Sequence, residues 1–135
     1  SIIRELRKLC SSNIPIFGIC LGHQLLALAN DGDTEKLKYG HRGANQPVKD
    51  VSSGRTYITS QNHGYTVKTD ALPLDCTISY INVNDGTCEG LTYHSFPGFS
   101  VQFHPEACGG PHDTEFLFRQ FIDLMEGGKK HATEY

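Results

Sequence analysis

The chain has 135 residues, 12 of them basic and 15 acidic, for a formal net charge of −3. No basic run exceeds Lys129-Lys130, so the electrostatic footprint of a nucleic-acid binder is missing, and the longest uninterrupted apolar stretch, Leu25 to Ala29, falls far short of a membrane span. Five cysteines (Cys10, Cys20, Cys76, Cys88 and Cys108) form no C-x-x-C pair and are odd in number, which argues against a disulfide framework and for a reducing cytoplasm.

Ser1 is placed to cap a helix running to about Leu9, with Ile2, Ile3, Leu6 and Leu9 on one face. Pro15 introduces an apolar strand that enters a Gly18-x-Cys20-x-Gly22 turn and then a helix directly. That helix carries Leu21, Leu25, Leu28 and Ala29 on its predicted buried stripe, with Gly32 as a stop. From Lys36 to about Phe103 the pattern becomes short runs rich in Val, Ile, Thr and Tyr: 55–60, 65–68, 76–82, 90–93 and 99–103. The polar segments 43–47 and 60–64 between them read, on their own composition, as turns, and Asn84-Asp85-Gly86 predicts a hairpin. Beyond Pro111 a helical apolar face of Phe116, Leu117, Phe121, Ile122 and Leu124 returns, and Gly127-Gly128 should end it. The expected organisation is one domain over 1–128 and a polar tail over 129–135.

Cys20 is the residue to explain. A strand-to-helix turn flanked by glycines resembles the elbow that presents a hydrolase nucleophile, with thiol replacing hydroxyl. At the start of a helix the unpaired N–H groups and the positive end of the dipole favour thiolate over thiol. The competing expectation is a small buried hydrophobe at a strand end, which does not require glycine on both sides. A thiolate attacking a carbonyl also needs an acid for the leaving group. His104 ends a strand-like run and precedes Pro105-Glu106, so Glu106, two residues on, can orient its imidazole. Zinc at His104, Cys108 and His112 is set aside because Pro105, Gly109, Gly110 and Pro111 break the helix that would align them. No other metal set is identified. His23 is expected to pack beside its helix, and His41 and His63 to sit among loop residues.

Phe-Gly-Ile-Cys-Leu-Gly-His-Gln at 17–24 and Gln-Phe-His-Pro-Glu at 102–106 resemble the class I, or triad, glutamine amidotransferases. Lys-Tyr-Gly-His-Arg-Gly-Ala-Asn-Gln-Pro at 38–47 and Thr-Ser-Gln-Asn-His-Gly-Tyr at 59–65 look like the small, glutamine-hydrolysing subunit of carbamoyl-phosphate synthetase rather than the relatives serving GMP, anthranilate or CTP synthesis. The resemblance implies an α/β, flavodoxin-like fold of three α/β/α layers with a mixed sheet, here without its N-terminal strands. It makes Cys20 the nucleophile, His104 the general acid and base, and Glu106 the orienting carboxylate. It places Leu21, Gln24, Asn62, Gly64 and Tyr65 at the glutamine, with the Leu21 N–H as an oxyanion donor. The implied products are glutamate and ammonia, formed through a Cys thioester. The chain has no phosphate-binding loop, so no cofactor is expected in it. ATP, Mg and bicarbonate would be used by a large partner subunit that receives the ammonia and makes carbamoyl phosphate for arginine and pyrimidine synthesis.

By the same resemblance the chain looks like the C-terminal portion of such a subunit, lacking a glycine-rich loop that supplies a second oxyanion donor. Two alternatives follow: a non-catalytic packing or interaction module, and a γ-glutamyl peptidase on the same scaffold. Absent strands would leave an open sheet edge and some self-association.

Overall fold

The computed structural model describes residues 1–105 and 116–134, with side chains through Gly127. Its elements run α1 (Ile2–Ser11), β1 (Ile16–Ile19), α2 (Leu21–Ala29), β2 (Thr34–Asp50), β3 (Thr56–Val67), β4 (Cys76–Asn82), β5 (Cys88–Tyr93), β6 (Gly98–Val101) and α3 (Phe116–Glu134). One six-stranded sheet has the order β1-β6-β5-β4-β2-β3, parallel only between β1 and β6. The two-residue alternation of strand side chains sends successive residues to opposite faces. On one face Leu26 and Ala27 of α2 pack with Val67, Cys88, Leu91, Tyr93 and Phe96, with Cys10 of α1 against them. On the other, Leu117, Phe121 and Leu124 of α3 pack with Phe17, Val48, Tyr57, Tyr80, Phe99, Val101 and Phe103. The sheet therefore lies between α1 and α2 on one side and α3 on the other, the expected three-layer α/β arrangement. No helix among the described residues is long and apolar enough to cross a membrane.

Ser1 caps α1, its hydroxyl accepting from the Arg4 N–H at 3.4 Å. The predicted apolar face of α1 is only partly covered: no residue of the helix is buried, and Ile2 and Leu9 stay exposed. In α2 the buried residues are His23, Leu26, Ala27 and Ala29; of the predicted stripe Ala29 is buried, Leu25 and Leu28 are half-buried and Leu21 is exposed. Positions 23, 26 and 27 follow helical spacing, and His23 occupies an inward position that the leucine row could not reveal. Asp31 at φ 69°, rather than Gly32, adopts the left-handed conformation after the helix.

The largest departures are in β2 and β3. Segments 43–47 and 60–64, turn-like in composition, lie inside two long paired strands. Register shifts between Lys36 and His41, and between Gly43 and Gln46, absorb the irregularity, Gly43 taking φ 104°. The hairpin at Asn84-Asp85-Gly86 forms as predicted, with the Asn82 side chain accepting from the N–H groups of Asn84 at 2.9 Å and Asp85 at 3.3 Å. Gly127-Gly128 does not stop α3, which continues to Glu134 through most of the predicted tail.

Candidate active site at the β1–α2 turn

Cys20 is the N-cap of α2 and takes φ 55°, ψ −109°, a conformation costly for a residue with a Cβ, of order 1–3 kcal/mol. Its N–H donates to the Val101 carbonyl at 2.9 Å, and the Gln24 N–H donates to its carbonyl at 3.3 Å, so the surrounding ladder and helix hold the strained residue. The residue is half-buried rather than sealed in the core.

Of the two flanking glycines only Gly18 is demanded by space. A Cβ there would stand 3.0 Å from the Gly22 carbonyl oxygen and 3.2 Å from the His23 nitrogen, so glycine lets the first turn of α2 lie directly on β1. A Cβ on Gly22 meets nothing within 4 Å. Gly18→Ala should therefore destabilise by about 1–3 kcal/mol through overpacking against backbone. Gly22→Ala should be neutral or stabilising by up to about 1 kcal/mol. Urea midpoints at unchanged m-value measure both, and equal midpoints for the two variants would overturn the steric account.

The β1–β6 register pairs Ile16 with Gly98 through Ile19 with Val101, and its next step sets Cys20 beside Gln102. Gln102, fully buried, donates to the Cys20 sulfur at 3.8 Å and accepts from Gln24 Nε2 at 2.9 Å. Gln24 Nε2 also reaches the Tyr65 carbonyl at 3.1 Å, tying α2 to β3. His104 comes two residues beyond the sulfur's neighbour, past bends at Gln102 and Phe103 that follow the end of β6. His104 is half-buried, forms an isolated bridge with Ser60, and donates its N–H to the Ser60 carbonyl at 3.0 Å.

The other expected site residues divide. Leu21 begins α2 and is 63 % exposed, its side chain turned to solvent. Asn62, Gly64 and Tyr65 lie in β3; Asn62 accepts from Arg42 at 2.8 Å, and Tyr65 is exposed while its carbonyl meets Gln24. Glu106, and with it Cys108 and His112, lies outside the described residues. Sequence pattern does not single out Gln102, whose place beside the sulfur depends on a strand register that local pattern does not encode.

His23 is fully buried with Nδ1 2.6 Å from the Ser100 hydroxyl, and burial lowers its pKa to about 3, helped by the nearby His63. Contrary to expectation, His41 and His63 are not loop residues but buried members of β2 and β3. They meet Gln61, Asn82 and Glu89 in a polar cluster, where desolvation lowers the pKa of His63 to about 4 and raises that of Glu89 to about 7.

The family model for glutamine amidotransferase class-I matches residues 1–124. Similar curated proteins include the carbamoyl phosphate synthase small chain of Oceanobacillus iheyensis, 56% identical over 93% of the chain and 34% of that protein. The small chain of Methanocaldococcus jannaschii is 54% identical over 93% of the chain and 35% of that protein. The chain thus spans about a third of the length of the curated relatives it matches. Among solved structures, a candidate GMP synthase component from Thermoplasma acidophilum superposes at TM-score 0.81, with 24% identity over 98% of this chain and 68% of the other. A glutamine amidotransferase from Thermotoga maritima superposes at TM-score 0.67, with 23% identity over 94% of this chain and 55% of the other. Both likenesses concern the fold.

Proposed function

The chain belongs to the glutamine amidotransferase class-I family, and from that premise we propose that it carries the thiol-based glutamine-hydrolysing machinery of a carbamoyl phosphate synthase small chain. The observation that carries the reading is Cys20, held at a strained backbone angle at the N-terminus of a helix with its sulfur beside Gln102. The proposed reaction begins when the Cys20 thiolate attacks the side-chain carboxamide carbon of glutamine. The Leu21 N–H, first in α2, is suited to stabilise the oxyanion. As the C–N bond breaks, His104 gives a proton to the departing nitrogen, releasing ammonia and leaving a γ-glutamyl thioester. Water then attacks the thioester with His104 as base, yielding glutamate and free thiol. Gln24 and the 62–65 segment of β3, joined through the Tyr65 carbonyl, are proposed to hold the amino-acid end of the substrate.

Ammonia released into water at neutral pH is protonated and lost as a nucleophile, so the proposal includes an acceptor reaction on a large partner chain using ATP, Mg and bicarbonate. The words "small chain" in the relatives' names support such a partner. Glutamate release from glutamine, measured with and without a large synthetase subunit, tests the reading. Expected is turnover, and labelling of Cys20 by a diazoketone analogue of glutamine, which alkylates a nucleophilic thiolate with loss of N2. A folded chain that neither turns over nor labels would favour a packing module. Preferential cleavage of γ-glutamyl peptides would favour a peptidase.

A further inference from the structure

Between β2, β3 and β5 several buried nitrogen and oxygen atoms able to ligate a metal converge. His41, His63 and Glu89 are all buried, and their donor atoms lie within 4.8 Å of one another. His41 Nδ1 stands 3.2 Å from His63 Nε2 and 3.4 Å from Glu89 Oε2. The proton inventory follows from the outer partners. His41 Nε2 lies 2.6 Å from Asp85 Oδ2, an acceptor, so in the neutral ring Nε2 carries the hydrogen and Nδ1 is bare. His63 Nδ1 lies 2.7 Å from the Tyr65 carbonyl, also an acceptor, so Nδ1 carries the hydrogen and Nε2 is bare.

Gln61 adds a further lone pair, with Oε1 2.7 Å from His63 Nε2. Its amide orientation is set by its surroundings. Gln61 Nε2 donates to Glu89 Oε2 and to Thr59 Oγ1, both at 3.0 Å, and the Thr59 hydroxyl spends its own proton on the Gln46 carbonyl at 2.8 Å. A flipped amide would turn its oxygen toward both. Asn82 Nδ2 donates to Glu89 Oε2 at 2.9 Å, while Glu89 Oε1, fully buried, has no hydrogen-bond partner among the described residues.

We propose that His41 Nδ1, His63 Nε2 and the Glu89 carboxylate form a structural site for a divalent cation of the zinc type, with the Gln61 carbonyl beside it. Two neutral imidazoles and one carboxylate suit such an ion. At Zn–N bond lengths of 2.0–2.1 Å, two corners of a tetrahedron are about 3.3 Å apart; His41 Nδ1 stands 3.2 and 3.4 Å from its two partners, and the His63–Glu89 pair lies within 4.8 Å. The outer shell is that of a metal site: each ring hands its second N–H to a carboxylate or a backbone carbonyl, fixing tautomer and orientation. His63 lies between Asn62 and Gly64, so the ion would clamp the β3 segment that meets Gln24.

The test reads metal rather than turnover, so its outcome is separate from that of the glutaminase reading. Tag-free chain, stripped with chelator, is titrated with Zn²⁺ against a chromogenic competitor and, separately, with Co²⁺. One equivalent should bind, with the intense visible bands of tetrahedral Co²⁺. Asp85→Asn, altering a side chain 41% exposed at the cluster's rim, should weaken binding about 10–100-fold. Glu89→Gln, which conserves volume, should abolish stoichiometric uptake, and the Asp85 variant decides the matter if Glu89→Gln does not fold. A folded chain that takes up no equivalent overturns the proposal, as does uptake unchanged by either substitution. A doubly protonated His41 or His63 ring in nitrogen NMR spectra, with and without Zn²⁺, would show a shared proton in place of the metal and also overturn it.

Discussion

Cys20→Ala is expected to lower glutamine hydrolysis by on the order of 10⁴-fold or more, to the level of the oriented but uncatalysed reaction. The fold should survive the change. Alanine leaves the main-chain bonds to Val101 and Gln24 untouched and keeps the Cβ of a half-buried residue. Loss of activity at unchanged stability separates a nucleophile from a packing cysteine. His104→Asn should cost about 10²–10⁴-fold by removing the acid, and the double variant should be no slower than Cys20→Ala, because the two groups serve one covalent step. Glutamate release and trapping of a 1:1 γ-glutamyl adduct by intact mass check both. A Cys20→Ala chain retaining a tenth of the parental rate would remove the thiol from the mechanism.

The β1–α2 turn was legible because it is local: an apolar run, Gly18, Cys20 and the helix start are contiguous, and the chain folds them as read. The Asn84-Asp85-Gly86 hairpin and the inward Leu117, Phe121 and Leu124 of α3 are equally local, while Phe116 and Ile122 of the predicted face stay exposed. What could not be read is what depends on partners distant in sequence. Gln102 reaches Cys20 only because β1 and β6 pair in a register 82 residues apart. The segments at 43–47 and 60–64 resemble turns because inward residues of a strand are ordinarily apolar, whereas Thr59, Gln61 and His63 point inward into the polar cluster around Glu89. His23 misled in the same direction, its polarity concealing the buried face of α2. In each case polar residues buried against polar residues obscure the periodicity that apolar ones reveal.

His23 makes that concealed chemistry measurable as an acid-sensitive stability. The neutral ring meets the Ser100 hydroxyl through Nδ1 at 2.6 Å, and Nε2 is buried without a partner among the described residues, so a second ring proton would be an unpaired charge in the core. Desolvation, with a smaller contribution from His63, lowers the folded-state pKa from 6.5 to about 3. Between those values the unfolded chain binds a proton that the folded chain refuses, so unfolding becomes progressively easier as pH falls. Stability from this group is complete above about pH 6.5 and declines by roughly 1.4 kcal/mol per pH unit toward pH 3. His23→Asn keeps a donor and acceptor near the Nδ1 position for Ser100 but cannot titrate there. Its denaturation midpoint should fall less steeply than that of the parent chain between pH 6 and about 4, where the other buried groups titrate in both proteins. Parallel midpoints across that range would mean that the ring accepts its proton in the folded state, and that the floor beneath the Cys20 turn is wetter than its packing indicates.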